Sequence, residues 1–460
     1  MSNGLVGLLE NLKGKYCAVI GMGVSNTPLI KLLLENGTKV RICDKKTDHD
    51  EETLKEFSAL GAEFSFGENY LENLGETDVI FKTPGMRYDV PELLKAEQSG
   101  SVITSEMEQF LGLCSCRSIG ITGSDGKTTT TTIIGKLLEQ AGKTCYVGGN
   151  IGKPLLPEVD SMKKEDFAVI ELSSFQLMNI KYSPEISVIT NITPNHLDVH
   201  KSFEEYSEAK EEIFRHSSGK VVLNYDNDAT RAIAEKLGER AVLFSSKELI
   251  SDGYCIEDGF IVKRVNGHSE RILAISDIKI PGIHNVENYM AAIAATEGFV
   301  SKEDIGYIAK NFGGVEHRME FIRELRGVKY YNDSIASSPT RTIAGLRAFN
   351  RKVILIAGGY DKNIPFDILG DAAKDYVKAL ILVGATSEKI KEAVENSEGY
   401  DKDSLPIVMC NSFEDAVKAA QNAAETGDIV TLSPACASFD LFKNFMERGN
   451  KFKELVNSLS

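Results

Sequence analysis

Hydrophobic positions along the chain fall into short uninterrupted apolar runs, and stretches with apolar residues three and four apart follow many of them. Runs without alternation predict strands covered on both faces, and the spacing between them predicts helices, so the pattern implies an α/β fold with mainly parallel sheets. The runs group into three sets. "YCAVIGMGVSNTPLIKLLLENG", "KVRICD" and "DVIFKTPG" form the first, which closes near "VITSEMEQFL". The second opens at "GITGSDGKTTTTT" and continues through "FAVIELSSFQL", "ISVITNITPNHLD", "KVVLNYDND" and a helix beginning at "GIHNVENYMAAIAATEG". The third follows "FGGVEHRME" and runs through "VKYYNDS", "KVILIAGGYDKN", "KALILVGA" and "DIVTLSPACASFD". Boundaries near 105 and 314 divide the chain into expected domains 1–105, 106–314 and 315–460.

Length and charge narrow the function. A chain of 460 residues exceeds one ordinary core. A formal charge of −15 and a pI near 5.1 disfavour binding to nucleic acid or an anionic membrane, since both require a basic surface. The eight cysteines are scattered, and the close pair Cys114 and Cys116 lacks a second pair to complete a zinc site, so reduced thiols are expected. The N-terminus reads neither as a leader nor as an anchor, and a cytoplasmic monomer acting on small molecules is the expectation.

Two glycine-rich turns carry candidate chemistry. Gly21 and Gly23 follow the first strand as in a dinucleotide fingerprint, but Asn26 stands where the third glycine belongs, and Asp44 ends the second strand where a nicotinamide enzyme would hold a ribose. The second turn is a variant of the phosphate loop G-x-x-x-x-G-K-[ST]: Ile121 occupies the first glycine position, with glycines at Gly120, Gly123 and Gly126. Its mechanics are kept, because glycines let backbone N–H groups close around phosphate, Lys127 brings charge, and Thr128 can ligate Mg²⁺. Thr129 and Thr130 lie in the first helical turn, where unsatisfied N–H groups favour an anion, while the remaining threonines can simply pack. Glu171 ends an apolar strand where the metal-side acid of such a protein belongs. "TNITPNHLDVH" places His196, Asp198 and His200 at another strand end, with His196 the better metal or phosphate candidate. Arg318 and Asp333 bring a phosphate-binding and a ribose-binding residue type close to a new strand. Lys210, in "EEYSEAKEEIF", reads on sequence alone as a solvated helix lysine paired with glutamates at helical spacing.

In their order and number these motifs resemble the Mur ligase family over nearly the whole chain: "GITGSDGKTT", "GGNIG", "ELSSFQL", "TNITPNHLD", "GIHNVENYMAAIAA", "EHRME", "NDSIASS" and "LSPACASFDLFKNFMERG". The resemblance implies an N-terminal Rossmann-like domain for a UDP-sugar, a central P-loop ATPase with a mainly parallel sheet, and a C-terminal Rossmann-like domain that admits an amino acid. Its implied substrates are ATP, UDP-N-acetylmuramoyl-L-alanine and D-glutamate, with Mg²⁺, two ions in all, as cofactor. By motif, Gly123, Ser124, Asp125, Gly126, Lys127, Thr128 and Thr129 would bind the ATP phosphates. Asn285 and Asn288 would lie by adenine, Arg318 by the phosphates and Asp333 by the ribose. Thr128, Glu171, His196 and Lys210 would hold metal, Lys210 after carboxylation to a carbamate, and Lys127, Glu171, His196 and Lys210 would form the catalytic group. Gly23, Val24, Lys45 and Asn150 would line the UDP-sugar path, and Lys362, Ser438 and Phe445 would meet D-glutamate. Two departures stand out: Asp333 to Ser338 reads D-S-I-A-S-S where many relatives read D-S-K-A-T-N, and Asp125 replaces the commoner asparagine. The readings left beside this one are a P-loop kinase or GTPase, a folylpolyglutamate-synthase-like ligase, and a non-catalytic nucleotide-binding relative.

Overall fold

The computed structural model describes residues 4–195, 199–349, 351–362 and 364–460. It contains three sheets. The first has β1 (Tyr16–Ile20), β2 (Lys39–Asp44), β3 (Glu63–Phe66), β4 (Val79–Phe81) and β5 (Val102–Thr104), in the order β3-β2-β1-β4-β5 and parallel throughout. The order reverses beside β1, which creates a crevice at the carboxyl ends of β1 and β4, where open α/β sheets bind ligands.

The central sheet comprises β6 (Arg117–Thr122), β7 (Cys145–Gly149), β8 (Phe167–Glu171), β9 (Ile186–Ile189), β10 (Val221–Asn224), β11 (Ala241–Ser245), β12 (Gly253–Glu257), β13 (Phe260–Val265) and β14 (His268–Ala274). Its order is β14-β13-β12-β11-β10-β9-β6-β8-β7. Strands β6 to β12 pair in parallel, and β13 and β14 continue the sheet as antiparallel strands. The sequence reading assigned no element to this extension. Only the adjacent Ile261 and Val262 are buried along β13, and β14 is exposed along much of its length, so the apolar content falls short of the continuous runs that mark the other strands.

The third sheet holds β15 (Glu320–Leu325), β16 (Val328–Asn332), β17 (Val353–Ala357), β18 (Val377–Val383), β19 (Ile407–Cys410) and β20 (Ile429–Leu432), ordered β15-β16-β20-β17-β18-β19. It is parallel apart from β15, an antiparallel edge.

Compactness divides the chain into two units, Met1–Ile275 with Val286–Ile308, and Ser276–Asn285 with Ala309–Ser460. Within the first unit, the first and central sheets share one apolar core that includes Val19, Leu33 and Phe81 together with Leu156, Ile170 and Ile213. Polar links reinforce it. Asp160 accepts from Leu5 N–H, and Arg87 forks onto Asp89 and Glu205 while donating to the Val199 carbonyl. The second unit has cores on both faces of its sheet, centred on Leu355, Leu380 and Leu382 on one side and Ile354, Ile356 and Phe452 on the other. Among the described residues no helix is long and apolar enough to cross a membrane.

Candidate active site

Strand β6 delivers the chain into the loop Gly123–Gly126, and the helix Lys127–Gln140 follows at once. Two glycines are obligatory there. Gly123 has φ +148°, and a Cβ would stand 1.9 Å from Thr190 Oγ1; Gly126 has φ +80°, and a Cβ would stand 2.4 Å from Asn288 Oδ1. The loop is braced from the neighbouring strand end. Ser124 N–H donates to the Asn191 carbonyl (2.9 Å), Asp125 N–H to Asn191 Oδ1 (3.0 Å), and Ser124 Oγ to the Thr193 carbonyl (2.9 Å). Lys127 folds back over the loop, its Nζ 2.9 Å from both the Gly123 and Ser124 carbonyls. Thr128 is half-buried, whereas Thr129, Thr130 and Thr131 are buried. Thr130 Oγ1 donates to Asn288 Oδ1 and Thr132 Oγ1 to the Thr128 carbonyl. The later threonines therefore pack the helix, as their position beyond the first turn implies.

Lys210 is not the solvated lysine of the sequence-only reading. On the helix Phe203–Arg215 it falls on the inward face with Tyr206, Ile213 and Phe214, and it is 2% exposed. Its Nζ donates to the Gly123 carbonyl (2.9 Å), lies 3.4 Å from Thr122 Oγ1 and sits over the Tyr206 ring at 4.5 Å. Burial, and then the charge of Lys127, hold its pKa well below the ordinary lysine value. Two lysines thus converge on one carbonyl of the loop.

Glu171 ends β8 and is almost fully buried. Asn150 donates to its Oε1 at 2.7 Å, and Oε2 has no hydrogen-bond partner. A buried carboxylate oxygen left open in this way suits a hard cation such as Mg²⁺, and the hydroxyl of Thr128 is an oxygen donor of the same kind. His196, like Asp198, lies outside the described residues. His200 is buried, with Nε2 3.0 Å from Ser174 Oγ, Nδ1 3.7 Å from Glu205 and its ring stacked on Phe175. These contacts make it part of the packing between two helices. Asn288 faces the loop as described, and Asn285, also buried, donates to the Pro281 carbonyl at 2.6 Å.

At the first sheet, Gly23 and Val24 are exposed in the β1 turn, and Lys45 is exposed just after β2. Asp44 accepts from Met22 N–H (2.8 Å) and Lys46 N–H (2.9 Å), and Asn26 donates to the Ile20 carbonyl (2.8 Å). The nicotinamide reading of Asp44 has no support in this geometry, because the carboxylate closes its own loop. Lys82, which sequence reasoning passed over, is buried at the end of β4 near Glu108, and burial pushes its pKa down to about 8.

In the second unit, Asp333 is buried at the end of β16. It accepts from Ser433 Oγ (2.8 Å) and Met319 N–H (3.3 Å), and burial pushes its carboxyl up to about 7 against the pull of Arg318 and Arg341. Lys362 is exposed, with Nζ 3.4 Å from Ser337 Oγ. Ser438 is buried, and the Phe445 carbonyl accepts from Ser334 Oγ. A residue missed in the sequence ties this region together: Arg448, buried and without a carboxylate in hydrogen-bond contact among the described residues, donates to Ser334 Oγ and to the Ser334, Cys436 and Ala437 carbonyls. Its only sequence signal is a cation at helical spacing among buried neighbours.

A phosphate loop served by two lysines, an open buried carboxylate at the next strand end, and two further α/β sheets are the features of a nucleotide-using enzyme built from several α/β folds. The models for the Mur ligase MurD-like N-terminal domain, the Mur ligase middle domain and the Mur ligase glutamate ligase domain match residues 15–105, 121–296 and 317–436. The chain belongs to the Mur ligase family. It is 50% identical over 455 residues to the UDP-N-acetylmuramoylalanine–D-glutamate ligase of Acetivibrio thermocellus, covering 98% of both chains. It is 51% identical over 452 residues to the protein of that name from Clostridium botulinum strain Hall, covering 97% of this chain and 98% of the relative. Among solved structures, UDP-N-acetylmuramate-alanine ligase MurC of Thermotoga maritima shares the fold with a TM-score of 0.59 at 20% identity, covering 96% of this chain and 99% of that one. MurF ligase of the same organism, solved in complex with ADP, does so with a TM-score of 0.55 at 17% identity, covering 98% and 97%.

Proposed function

We propose that the chain is the ATP-dependent ligase that joins D-glutamate to UDP-N-acetylmuramoyl-L-alanine in peptidoglycan precursor synthesis, acting as a cytoplasmic monomer. The observation that carries this reading is the 50% identity, across 98% of both chains, to a protein of that name. Residues 1–105 would hold the UDP-sugar, 106–314 ATP and 315–460 the amino acid.

The chemistry asks for what the loop supplies. A carboxylate cannot lose its oxygen to an amine directly, so it must first be activated. In the proposed first step the alanyl carboxylate attacks the γ-phosphorus of ATP, the bond to the β,γ-bridging oxygen breaks, and ADP leaves with those electrons. The D-glutamate amine then adds to the acyl phosphate, and collapse of the tetrahedral intermediate expels phosphate while the nitrogen gives up its proton. The first step brings two anions together in an acidic protein, so local positive charge must be concentrated. Lys127 would move from the loop carbonyls onto the transferring phosphoryl group, and Gly123 to Thr129 would present backbone N–H groups and hydroxyls to the phosphates. Asn285 and Asn288 would hold adenine, Arg318 the phosphates and Asp333 the ribose. Thr128, Glu171, His196 and Lys210 would hold Mg²⁺, which when bound screens phosphate charge and orients its oxygens. Lys210 meets the precondition for a carbamate, a neutral amine, because burial and Lys127 disfavour its ammonium form. Gly23, Val24, Lys45 and Asn150 would line the UDP-sugar path. Lys362, Ser438 and Phe445 would receive D-glutamate, the cation and hydroxyl suiting its carboxylates.

Phosphate release tests the assignment. It should require ATP, UDP-N-acetylmuramoyl-L-alanine and D-glutamate together, and L-glutamate or D-alanine should replace D-glutamate poorly. Turnover with L-glutamate at an equal rate would overturn the acceptor assignment. Carbamate formation at Lys210 predicts partial rescue of Lys210→Ala by short carboxylates, and an unmodified lysine in active Mg²⁺-loaded enzyme would exclude it.

A further inference from the structure

Cys114 and Cys116 lie in the short segment that joins the helix Glu106–Leu113 to β6, the strand that ends in the phosphate loop. Residues two apart on an extended chain ordinarily project to the same side without touching. Here Cys114 is the C-cap of the helix, and the turn out of it brings the two sulfurs to 3.4 Å. Met162 Sδ lies 3.8 Å from Cys116 Sγ and backs the pair with an apolar wall, and Cys116 belongs to the core shared by the first two sheets. The two thiols differ. Cys114 is half-buried and within reach of small solutes, whereas Cys116 is buried. Either sulfur can donate across this contact, and when Cys116 keeps its proton the contact favours the thiolate on Cys114, lowering the Cys114 pKa and raising that of Cys116. An accessible sulfur with thiolate character beside a second, shielded one is the arrangement of a reactive thiol and its resolving partner. The other six cysteines are all free, and no sulfur–sulfur contact is recorded for them among the described residues.

We propose that Cys114 and Cys116 form a redox-sensitive dithiol that a peroxide converts to a disulfide at the root of the strand carrying the phosphate loop. The Cys114 thiolate attacks one oxygen of hydrogen peroxide, the O–O bond breaks, and hydroxide leaves and takes up the proton that Cys114 had released. Cys114 is then a sulfenic acid. The Cys116 sulfur attacks the Cys114 sulfur, the S–O bond breaks, and the departing hydroxide takes the Cys116 proton. Two thiols lose two electrons and two protons, and one peroxide becomes two waters. The helix end and β6 are already positioned for closure, so the step needs side-chain rotation and a small backbone adjustment to bring the sulfurs from contact to a bond of about 2.05 Å.

Mass spectrometry tests this on the full-length folded protein. Both cysteines fall in one tryptic peptide, residues 96–117. After peroxide treatment, denaturation and alkylation, that peptide should appear unalkylated and two hydrogens lighter. Dithiothreitol should restore both alkylation sites, and the other six cysteines should alkylate throughout. Cys116→Ser should stop at the sulfenic acid, trapped on Cys114 by dimedone, and Cys114→Ser should leave residue 116 unoxidised. Closure should run about tenfold faster in the folded chain than in urea, because the fold pre-positions the sulfurs. Full alkylation of the peptide after oxidation, or equal closure rates in folded and unfolded protein, would overturn the proposal.

Discussion

The turns after β1 and β6 begin alike, each leaving the carboxyl end of a central parallel strand through glycine and entering a helix, yet they are finished in opposite ways. After β1 the chain supplies its own anion: Asp44 accepts from Met22 and Lys46, Asn26 ties back to Ile20, and the tip of the turn stands open at Gly23. After β6 the chain supplies cations. Lys127 and Lys210 both reach the Gly123 carbonyl, and Thr190, Asn191 and Asn288 crowd the loop so closely that two of its glycines admit no side chain. A βα turn is thus a neutral framework. In the proposed function the first turn, with its internal carboxylate, would be a platform for a ligand that brings its own groups, and the second, rigid and cationic, would cradle an anion.

The sharpest test of that contrast is Lys127→Ala. Losing a charge aimed at the transferring phosphoryl group should lower kcat by about 10³-fold, with the circular dichroism spectrum unchanged. Near-normal turnover by the folded variant would remove the cradle from the chemistry. Gly123→Ala should come next, since its Cβ would enter the van der Waals space of Thr190 and its φ of +148° is strained for alanine. A loss of stability of about 1–3 kcal/mol is expected in denaturant unfolding, together with weaker ATP binding by calorimetry.

Asp44→Ala probes the other turn. It should raise KM for UDP-N-acetylmuramoyl-L-alanine by about tenfold, the cost of roughly one charge-assisted hydrogen bond in a partly exposed loop, while KM for ATP stays unchanged. Equal effects on both constants would mean that the two turns are not separate devices. The cationic crowding also carries a stability signature. The folded pKa of Lys210 lies below its unfolded value near 10.4. Between the two values the unfolded chain binds a proton that the folded chain lacks, so stability falls as pH drops through that window. In carbon-dioxide-free, metal-free buffer, the Tm of Lys210→Met relative to the parent should therefore rise by a few degrees from pH 9 to pH 6, about the shift expected for 1 kcal/mol. A constant difference would show that Lys210 keeps its proton. The smallest effect belongs to Gly23→Ala, whose Cβ meets nothing within 4 Å. Stability should change by less than about 0.5 kcal/mol, against the much larger cost at Gly123.

Much of this was legible from residue order. Uninterrupted apolar runs located the parallel strands because strands covered on both faces leave no polar alternation, and Gly-Lys-Thr after such a run located the phosphate loop because few residue types can build one. The pair β13 and β14 escaped because half-exposed strands at a sheet edge carry a weaker pattern. Lys210 was misplaced by its neighbours. The glutamates around it compose a solvated helix in one dimension, and only the helical phase turns that single lysine inward with Tyr206 and Ile213. Arg448 gave little warning, since its acceptors, backbone carbonyls at 334, 436 and 437 and the Ser334 hydroxyl, leave little trace in composition.

The sequence by itself determined most of the elements, the family and the make-up of the phosphate loop, because helix and strand periodicity, glycine's backbone freedom and the charge of a lysine are local properties. Tertiary structure decided which of those groups meet. It set Lys210 beside Lys127 on one carbonyl, left one oxygen of Glu171 open, spent Asp44 on its own loop and pressed two cysteine sulfurs together at the foot of β6. Each of these depends on how far a side chain is removed from water and on which groups, distant in the chain, are brought within a few ångströms of it. Desolvation and proximity are properties of the packed chain; they set the partners of the groups in the site and hold the Lys210 pKa down and that of Asp333 up.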